Sequence, residues 1–538
     1  MNLQNSINLY HHLNGLSRSR VPSPLKDIVK YMNEPGMISL AGGLPHPSAF
    51  PYSAMQLQIY SPEADVATVS SKSSALLDIS VGKYPSLHHP NNLSTALQYS
   101  VSTGSKSLSA FLYNFVQRVL RPAYSDFEVL LHFGNTDAWN KVVNLLCEPG
   151  DYILVEEYTY PSAQAVWAPM GCCGVPIPLD KDGILPEALE RVLSDWEQVH
   201  PGVRRPHLLY VVPTGQNPTG STLPLERKKE IYSICVKYDV IICEDDPYYF
   251  LQMPDYVPPS ERDSEGIAKS ERVTDDSLVD KLVPTFVSLD YQGRVIRLDT
   301  FSKTMGPGHR LGYFVCNPLF SERLLRASEV TTQAPGGWSQ AIIEEHLTAW
   351  KHEGLLRWFN NLRNIYTIRR DWLCDLIFSV FDVRPSSDGI ADDYIVFPKG
   401  YGSDQDTGKR HMFSFNAPKG GMFLWIKLNL TSNSNYRTLK ASGEGDPEGT
   451  LETKIWMEMI QEKILLAPGS YHTPIIGPNE RMKQEEGVAF FRLSFSFETR
   501  EDMETGVKRM AKVFERSWGV GAYEDGQKSC ACLIRNRL

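Results

Sequence analysis

Three largely apolar, continuous runs constrain the fold of this chain more than any other feature. They are LLYVV (208–212), VIICED (240–245) and RVIRLD (294–299), each rich in aliphatic residues and each followed by a polar loop. Runs of this kind are typical of strands covered on both faces, as in parallel sheets. Similar runs alternate with helix-like stretches from about residue 110 to 315. We therefore predict an α/β domain whose mostly parallel sheet is covered by helices.

The loop after the third run contains a lysine among small polar residues and glycines. In DTFSKTMGPGHRLGY (299–313), Ser302 precedes Lys303, and Arg310 follows after a Gly-rich turn. This pattern suits a cofactor that carries a phosphate and an aldehyde: Lys303 would bind it covalently and then shuttle protons. Ser302 and Arg310 would hold the phosphate, the arginine through paired hydrogen bonds. The alternative interpretation is a solvated surface lysine.

The loops after the other two runs place further polar residues at the same sheet edge, where α/β folds bind ligands. Asp245 ends the run in IICEDDPYY (241–249) and could hold a protonated pyridine nitrogen, while Tyr248 could donate to a ring oxygen. Asn217, in VVPTGQNPTG (211–220), could hydrogen-bond a cofactor oxygen. Both loops also have a plainer interpretation as polar turns, because Asn-Pro and Asp-Pro are turn signals.

A fourth motif, FFRLSFS (490–496), has Arg492 between apolar residues of a predicted strand. A buried, unpaired arginine is costly, so this one needs a partner. Either it forms a structural salt bridge, or it binds the carboxylate of a substrate in bidentate fashion.

Together, these motifs and their order resemble the class I/II aminotransferases, which are pyridoxal-phosphate enzymes of fold type I. The chain is most similar to the fungal aromatic amino acid, kynurenine and 2-aminoadipate aminotransferases, whose amino-terminal signature resembles MISLAGGLPHPSAFP (37–51). Matching segments extend from about residue 22 to 497. The resemblance implies a large domain with a seven-stranded, mostly parallel sheet and a smaller α+β domain.

The resemblance also assigns further site residues. Asn135 and Thr136, in HFGNTDAW (132–139), occupy the turn that cradles the phosphate, where relatives usually carry Ser-Gln. Tyr160 would stack on the cofactor, with Tyr158 as the alternative. The residues expected to complete the site are Tyr99, which would reach the phosphate of a partner subunit, Gly43 beside the substrate carboxylate, and Lys26 as a second cation for a dicarboxylic acceptor.

Composition is that of a large globular protein with at least two domains: 538 residues, 42% hydrophobic and 22% charged. A net charge of −9 without a basic run gives no sign of nucleic-acid binding, and we predict no membrane span and no metal. The nine cysteines are predicted to be free thiols, with Cys530 and Cys532 in a flexible tail. With no apolar signal segment near the amino terminus, we expect a cytoplasmic protein, and the resemblance implies a homodimer.

The motif order predicts the domain boundaries. Residues 1–84 would form an amino-terminal arm and part of the small domain, 85–350 the large domain, 351–520 the small domain and 521–538 a flexible tail. Three polar segments, 254–284, 384–412 and 430–450, are predicted to be surface insertions.

The predicted reaction is transfer of an amino group from an aromatic amino acid, kynurenine or 2-aminoadipate to a 2-oxo acid, with 2-oxoglutarate as the expected acceptor. A pyridoxal-phosphate lyase or decarboxylase on the same fold is the main alternative, because the motifs do not determine which bond at Cα breaks. A regulator that only senses the cofactor is a remoter one, since such proteins carry a DNA-binding domain ahead of the fold, and here the signature begins at residue 37.

Overall fold

The computed structural model describes residues 3–22, 24, 31, 34–63, 75–86, 91–99, 101–262, 275–386, 392–399 and 411–520. The strands of this part are β1 (Ala54–Tyr60), β2 (Leu76–Gly82), β3 (Glu128–His132), β4 (Tyr152–Glu156), β5 (Cys173–Ile177), β6 (Leu179–Asp180), β7 (Gly183–Ile184), β8 (Leu208–Val211), β9 (Ile241–Asp245), β10 (Val295–Thr300), β11 (Gly312–Cys316), β12 (Asp382–Pro385), β13 (Tyr394–Phe397), β14 (Phe413–Phe415), β15 (Phe423–Asn429), β16 (Ala467–Pro468), β17 (Ile475–Gly477), β18 (Glu480–Arg481) and β19 (Val488–Ser494). The α-helices are α1 (Gly15–Ser19), α2 (Leu93–Ala96), α3 (Lys106–Val119), α4 (Asn135–Leu146), α5 (Pro161–Trp167), α6 (Pro186–Val199), α7 (Leu225–Lys237), α8 (Asp275–Lys281), α9 (Pro318–Glu329), α10 (Gly337–Val380), α11 (Ser434–Ala441), α12 (Pro447–Gln461) and α13 (Arg500–Trp518).

A seven-stranded sheet forms the centre of the large domain, in the order β3–β11–β10–β9–β8–β4–β5. All its neighbouring pairs are parallel except those of β11, which is antiparallel to β10 and β3. The side chains of Leu209 and Ile242 enter the core on one face, and those of Leu208 and Ile241 enter the core on the other. Burial on both faces explains the continuous apolar runs and confirms the predicted fold class.

The small domain is a six-stranded antiparallel sheet, in the order β12–β13–β14–β15–β19–β16. Its core is shared with α12, α13 and the second half of α10. The two domains are linked by α10, whose helical geometry is interrupted at Lys351 (φ 57°, ψ −173°). Before this residue the helix packs on the large domain, and its final turns contribute Leu373 and Ile377 to the small-domain core. The packing on the large domain continues past this residue, through Leu355 and Phe359.

The amino-terminal segment differs from the expected arrangement. Leu9 and Leu13 are buried in the large-domain core, on the face that also contains Trp139 of α4. The hairpin of β1 and β2 packs instead on the start of α10, through Met55 and Val81 against Trp338. No contact of the described residues in 1–84 joins the small-domain sheet, because the apolar positions of this segment match surfaces of the large domain and of α10.

All three segments predicted to be surface insertions carry regular structure in their described parts, which a surface loop would lack. Residues 430–450 include α11, and Leu430 and Tyr436 are buried in the small-domain core. Residues 384–412 include β13, an interior strand of the small-domain sheet. In 254–284 the described part contains α8, whose Leu278 is buried. Only a few apolar residues anchor each segment in a core. The polar residues around them left no apolar periodicity from which a helix or strand could be predicted.

In the part of the chain that the structure describes, no helix has the length and apolar character needed to cross a membrane. The seven cysteines in that part are free thiols. Lys26, Cys530 and Cys532 lie outside the described residues.

Candidate active site

The candidate active site lies at one edge of the large-domain sheet. Strands β8, β9 and β10 are parallel neighbours, so their carboxyl ends meet at the same edge. Asp245 is the last residue of β9, Asn217 lies in the loop after β8, and Lys303 ends a 3-10 helix (Phe301–Lys303) directly after β10. The helix α4 begins just after β3 at the same edge. The topology thus brings the predicted residues of separate loops together.

Asp245 is held by two hydrogen-bond donors. The amide Nδ2 of Asn135 donates to Asp245 Oδ1 at 2.6 Å, and the hydroxyl of Tyr210 donates to Oδ2 at 2.7 Å. Burial raises the pKa of Asp245, while these two hydrogen bonds and the charge of Arg297 act in the opposite direction. A cation placed against this carboxylate would offset the cost of its burial.

Lys303 lies in a half-buried position among charged groups. Burial lowers its pKa, the nearby cations Arg310 and Arg492 lower it further, and Asp245 raises it. A lysine with a lowered pKa has a larger neutral fraction and is therefore a better nucleophile and base.

Arg310 and Ser302 form a second polar group beside Lys303. Arg310 Nη1 lies 3.4 Å from Ser302 Oγ, and Nη2 donates to the carbonyl of Phe133 at 3.2 Å. The backbone of Arg310 has φ 47°, a left-handed conformation that is uncommon outside glycine and concentrates at functional sites. Gly134 is needed here, because a Cβ at its position would lie 2.6 Å from Arg310 Nη2.

Arg492 enters the site from the small domain. It lies on β19, and its Nη1 donates to Asn217 Oδ1 at 2.6 Å across the domain boundary. Its guanidinium carbon is 4.3 Å from the ring centre of Phe423, and its Nε is buried without a hydrogen-bond partner. Burial lowers the pKa of Arg492. The contact with Asn217 uses only part of the guanidinium, and the unsatisfied Nε is a donor that a ligand carboxylate could accept from.

Aromatic rings line this region. Tyr248 is buried, and its ring meets that of Phe423 edge to face with centroids 6.0 Å apart. Tyr160, directly before α5, is near enough to influence the pKa of both Tyr248 and Arg492. Tyr158, the alternative stacking residue, packs instead against Phe490 and Trp425. Of the two tyrosines, Tyr160 is therefore the one beside the other site residues.

Three predicted residues, Thr136, Gly43 and Tyr99, stand apart from this group, and a fourth, Asn135, has a different role from the predicted one. The side chain of Asn135 is used by Asp245 and the carbonyl of Leu298, so only its backbone N–H, in the first turn of α4, could serve an anion. Thr136 is exposed. Gly43 is exposed with open space around it, and Tyr99 is 69% exposed. Within one chain, neither Gly43 nor Tyr99 has a described contact with Lys303.

Sequence reasoning missed three buried polar residues. Tyr210 is the one polar residue of the run LLYVV, which was the available signal for a hydrogen bond to Asp245. Glu156, at the end of β4, accepts from Gln216 Nε2 at 3.0 Å and from the backbone N–H of Val212 at 3.3 Å. Gln216 also donates to the carbonyl of Tyr158. Because Gln216 precedes Asn217, this network holds the loop that carries Asn217.

These groups fit pyridoxal 5′-phosphate in their charge and in their hydrogen-bond donors and acceptors. Arg310, Ser302 and the first-turn N–H groups of α4 are donors for a phosphate, and the missing side chain of Gly134 lets Arg310 approach the start of α4. Asp245 offers a buried anion for a ring nitrogen, and Lys303 offers an amine for an aldehyde. The group therefore offers donors for the cofactor's phosphate and an acceptor for its ring nitrogen.

The fold and this arrangement are those of the aspartate aminotransferase-like enzymes of fold type I. The family model for aminotransferase class I and II matches residues 90–389, and the chain belongs to this family. It is 36% identical over 514 residues to an aromatic amino acid aminotransferase of Schizosaccharomyces pombe, with 95% of this chain and 98% of the relative covered. It is 34% identical over 471 residues to the L-tyrosine:2-oxoglutarate aminotransferase of Serpula lacrymans, with 86% and 83% covered.

Among solved structures, aminotransferase Aro8 from Candida albicans is similar to this chain with a TM-score of 0.82 and 33% identity, over 96% of this chain and 100% of that one. The prediction of an aminotransferase is confirmed by these similarities.

Proposed function

We propose that this enzyme binds pyridoxal 5′-phosphate and moves an amino group from an aromatic amino acid to a 2-oxo acid, with 2-oxoglutarate as the acceptor. One observation carries the proposal: Lys303, Asp245, Arg310 and Arg492, from three separate segments, converge at one sheet edge, where the charges of the other three act on Lys303. No single motif requires this convergence.

The bound cofactor supplies an aldehyde that takes up the amino group and a ring that withdraws electrons from the substrate Cα. Arg310 and Ser302 hold the phosphate, and Asp245 keeps a negative charge against the ring nitrogen. The hydrogen bonds from Asn135 and Tyr210 orient the Asp245 carboxylate and favour its ionised form against the effect of burial.

Lys303 is the proton carrier of this proposal. With the cofactor bound, its neutral amine would accept the proton of the substrate Cα at Nζ and return it to the carbon that carried the cofactor's aldehyde. Water would then release the 2-oxo acid and leave the amino group on the cofactor. The lowered pKa of Lys303 favours the form that accepts this proton. Arg492 and Asn217 bind the substrate carboxylate and so orient the Cα–H bond towards Nζ.

Aromatic donors are supported by the names of the relatives and by the rings of Tyr248, Tyr160 and Phe423 near Arg492. Rings stack on an aromatic side chain and exclude water from it. Kynurenine and 2-aminoadipate remain further candidate donors. Lys26 remains our candidate for the second carboxylate of 2-oxoglutarate.

We further propose a cytoplasmic homodimer with shared sites, in which Tyr99 of each chain reaches the phosphate bound by the other and Gly43 lies near the substrate carboxylate. The exposure of Tyr99 and of the residues around Gly43 supports this arrangement, because both become available to a second chain. The apolar surroundings of the cysteines support a reducing compartment.

The decisive experiment is a substrate screen of the purified holoenzyme that follows the cofactor's absorption with each amino acid. We expect aromatic amino acids to convert the cofactor to its aminated form stoichiometrically, and 2-oxoglutarate to reverse the change. Lys303→Ala is the control and should bind the same donors without conversion. Product formation without the aminated cofactor would indicate a lyase or decarboxylase, and preference for alanine or aspartate would overturn the substrate assignment.

A further inference from the structure

A cluster of possible metal ligands includes Asp239, which lies just before β9, at the opposite end of that strand from Asp245. His11 and His12 form the end of a 3-10 helix (Tyr10–His12), and Asp239 follows α7. His11 Nε2 is 2.7 Å from Asp239 Oδ2, and His12 Nε2 is 3.0 Å from Oδ1. One ligand atom from each of the three side chains lies within 4.8 Å of the other two. The cluster joins the amino-terminal segment to the large domain.

The donor set suits a divalent transition metal. Two imidazole nitrogens and a carboxylate oxygen are common zinc ligands, and three protein ligands leave one position for water. With metal–ligand bonds of about 2.0–2.2 Å, the donor atoms of a tetrahedral site lie roughly 3.3 Å from one another. The two nitrogen–oxygen distances given above must therefore lengthen by a few tenths of an ångström when a metal binds. The side chains of His11 and Asp239 are 59% and 49% exposed, which leaves them room to move.

The surroundings of His12 supply a second, independent observation. His12 Nδ1 is 3.0 Å from His207 Nδ1, so these two atoms share one proton. His207 is 7% exposed, and its Nε2 is buried without a hydrogen-bond partner, 3.9 Å from Asp151 Oδ2. Polar contacts therefore run in a row from Asp239 to His12, from His12 to His207, and from His207 to Asp151.

Neither neutral tautomer of His12 allows a hydrogen bond at every one of these contacts. If its Nε2 donates to Asp239, His207 must donate from Nδ1, and the lone pair of His207 Nε2 then faces the Asp151 carboxylate. If His12 donates from Nδ1, the lone pair of its own Nε2 faces Asp239. A cation on His12 Nε2 removes the conflict, because His12 then donates to His207 and His207 donates towards Asp151. Metal-bound histidines commonly donate their other N–H in this way.

Two arginines already neutralise part of the acidic charge here. Arg294 Nη1 is 3.5 Å from Asp239 Oδ1, and Arg204 Nη1 is 3.4 Å from Asp151 Oδ2. Arg294 also donates to the carbonyl of Val240. Asp239 Oδ2, which faces His11, is therefore the oxygen placed to bind a metal.

We propose that His11, His12 and Asp239 bind a divalent transition metal such as Zn²⁺, which fastens the amino-terminal segment to the large domain. His207 is the positioning residue that orients His12. The site is separate from the chemistry of Lys303, so its failure would leave the proposed function untouched.

The binding test uses the full-length holoenzyme without a histidine tag, freed of metal with a chelator and titrated with Co²⁺, whose visible spectrum reports coordination. We expect one Co²⁺ per chain, displaced by Zn²⁺. His11→Ala and Asp239→Asn should each weaken binding at least about tenfold. Asparagine tolerates the left-handed backbone of Asp239 (φ 56°), so that variant should fold. The matched control is His200→Ala, a histidine of the same domain that stacks on Trp196.

Absence of saturable binding to the wild type, or equal binding by His11→Ala and Asp239→Asn, would overturn the proposal. The fastening is tested by limited trypsin digestion, since Arg18 and Arg20 lie in the same segment. Zn²⁺ should slow cleavage there several-fold in the wild type and in His200→Ala, but not in His11→Ala. An equal cleavage rate with and without Zn²⁺ in the wild type would refute the fastening role.

Discussion

At the scale of single residues, Arg492 shows how burial and charge are combined in this enzyme. Its pKa is lowered by burial, one nitrogen donates to Asn217, and its Nε has no partner. A buried cation with an unsatisfied donor is costly unless a ligand completes it. We therefore interpret Arg492 as a group kept ready for an anion, and not as a structural salt bridge, because no carboxylate of the described residues lies in ion-pair contact with it.

We predict that Arg492→Lys raises KM for both the amino acid and the 2-oxo acid by about ten- to a hundredfold, because lysine keeps the charge but loses the planar pair of donors. Steady-state kinetics with both substrates measure this. Arg509→Lys is the control, since Arg509 only donates to the carbonyl of Lys463 in the same domain. Unchanged KM values in Arg492→Lys would make Arg492 structural.

Glu156 gives a prediction about pH. Burial raises its pKa to about 8, above the unfolded value of 4.5. The folded chain therefore binds the extra proton between these values, and this side chain makes the folded state less stable as pH rises from about 4.5 to 8. Glu156→Gln removes the titration and can still accept from Val212 and Gln216.

The melting temperature of Glu156→Gln minus that of the wild type should thus rise steadily from pH 5 to pH 8 and level off above it. Thermal melts of both proteins across this range measure the difference. Glu226→Gln serves as the control, because Glu226 is an acid on α7 whose side chain is 77% exposed. A difference for Glu156→Gln that does not change with pH would show that Glu156 is ionised in the folded state.

At the scale of elements, the loop after β8 touches the small domain at two glycines. Gly215 has φ 52°, and a Cβ there would lie 2.3 Å from the backbone nitrogen of Gly421. The backbones of two domains therefore meet directly, two residues before Asn217. This contact sets the distance between Asn217 and Arg492.

We predict that Gly215→Ala lowers kcat/KM at least about tenfold by pushing the loop away from the small domain, since small displacements of binding groups are costly to catalysis. Gly443→Ala is a matched control, because Gly443 also has a positive φ (79°) but nothing within 4 Å of its Cβ position. Both variants carry the same kind of backbone strain, and only Gly215→Ala adds the clash. Equal kcat/KM in the two would contradict this role of the contact.

At the scale of the whole molecule, the exposed apolar residues near the amino terminus point to a partner chain. Ile38 is 85% exposed and Leu40 is 95% exposed, both close to Gly43, and Tyr99 is 69% exposed. Apolar residues left in water on this scale are typical of interaction surfaces. They support the proposed homodimer.

We predict that light scattering gives twice the chain mass of 60.7 kDa. Tyr99→Phe and Lys303→Ala proteins, unfolded and refolded together, should regain activity at limiting cofactor, because mixed dimers then hold one site with both native residues. Each variant refolded alone is the control and should regain none of the lost activity. A fully active monomer, or no gain on mixing, would contradict shared sites.

The sequence alone determined the fold class and the chemistry of the separate loops. Strands buried on both faces need apolar side chains at most positions, so the sequence showed β8, β9 and β10 as apolar runs. It showed Asp245, Asn217 and Lys303 as polar residues at or after the ends of these runs. The polar segment 430–450 was misjudged for the opposite reason: α11 buries little more than Tyr436, so its composition is that of a loop.

Only the tertiary structure decided which of these groups meet. The bond from Arg492 to Asn217 joins residues 275 positions apart, and no local pattern encodes such a distance. The use of the Asn135 side chain by Asp245, the support from Tyr210 and the cluster of His11, His12 and Asp239 depend equally on packing between distant segments. Side-chain periodicity reports burial, whereas the choice of partner depends on how the strands are ordered in the sheet.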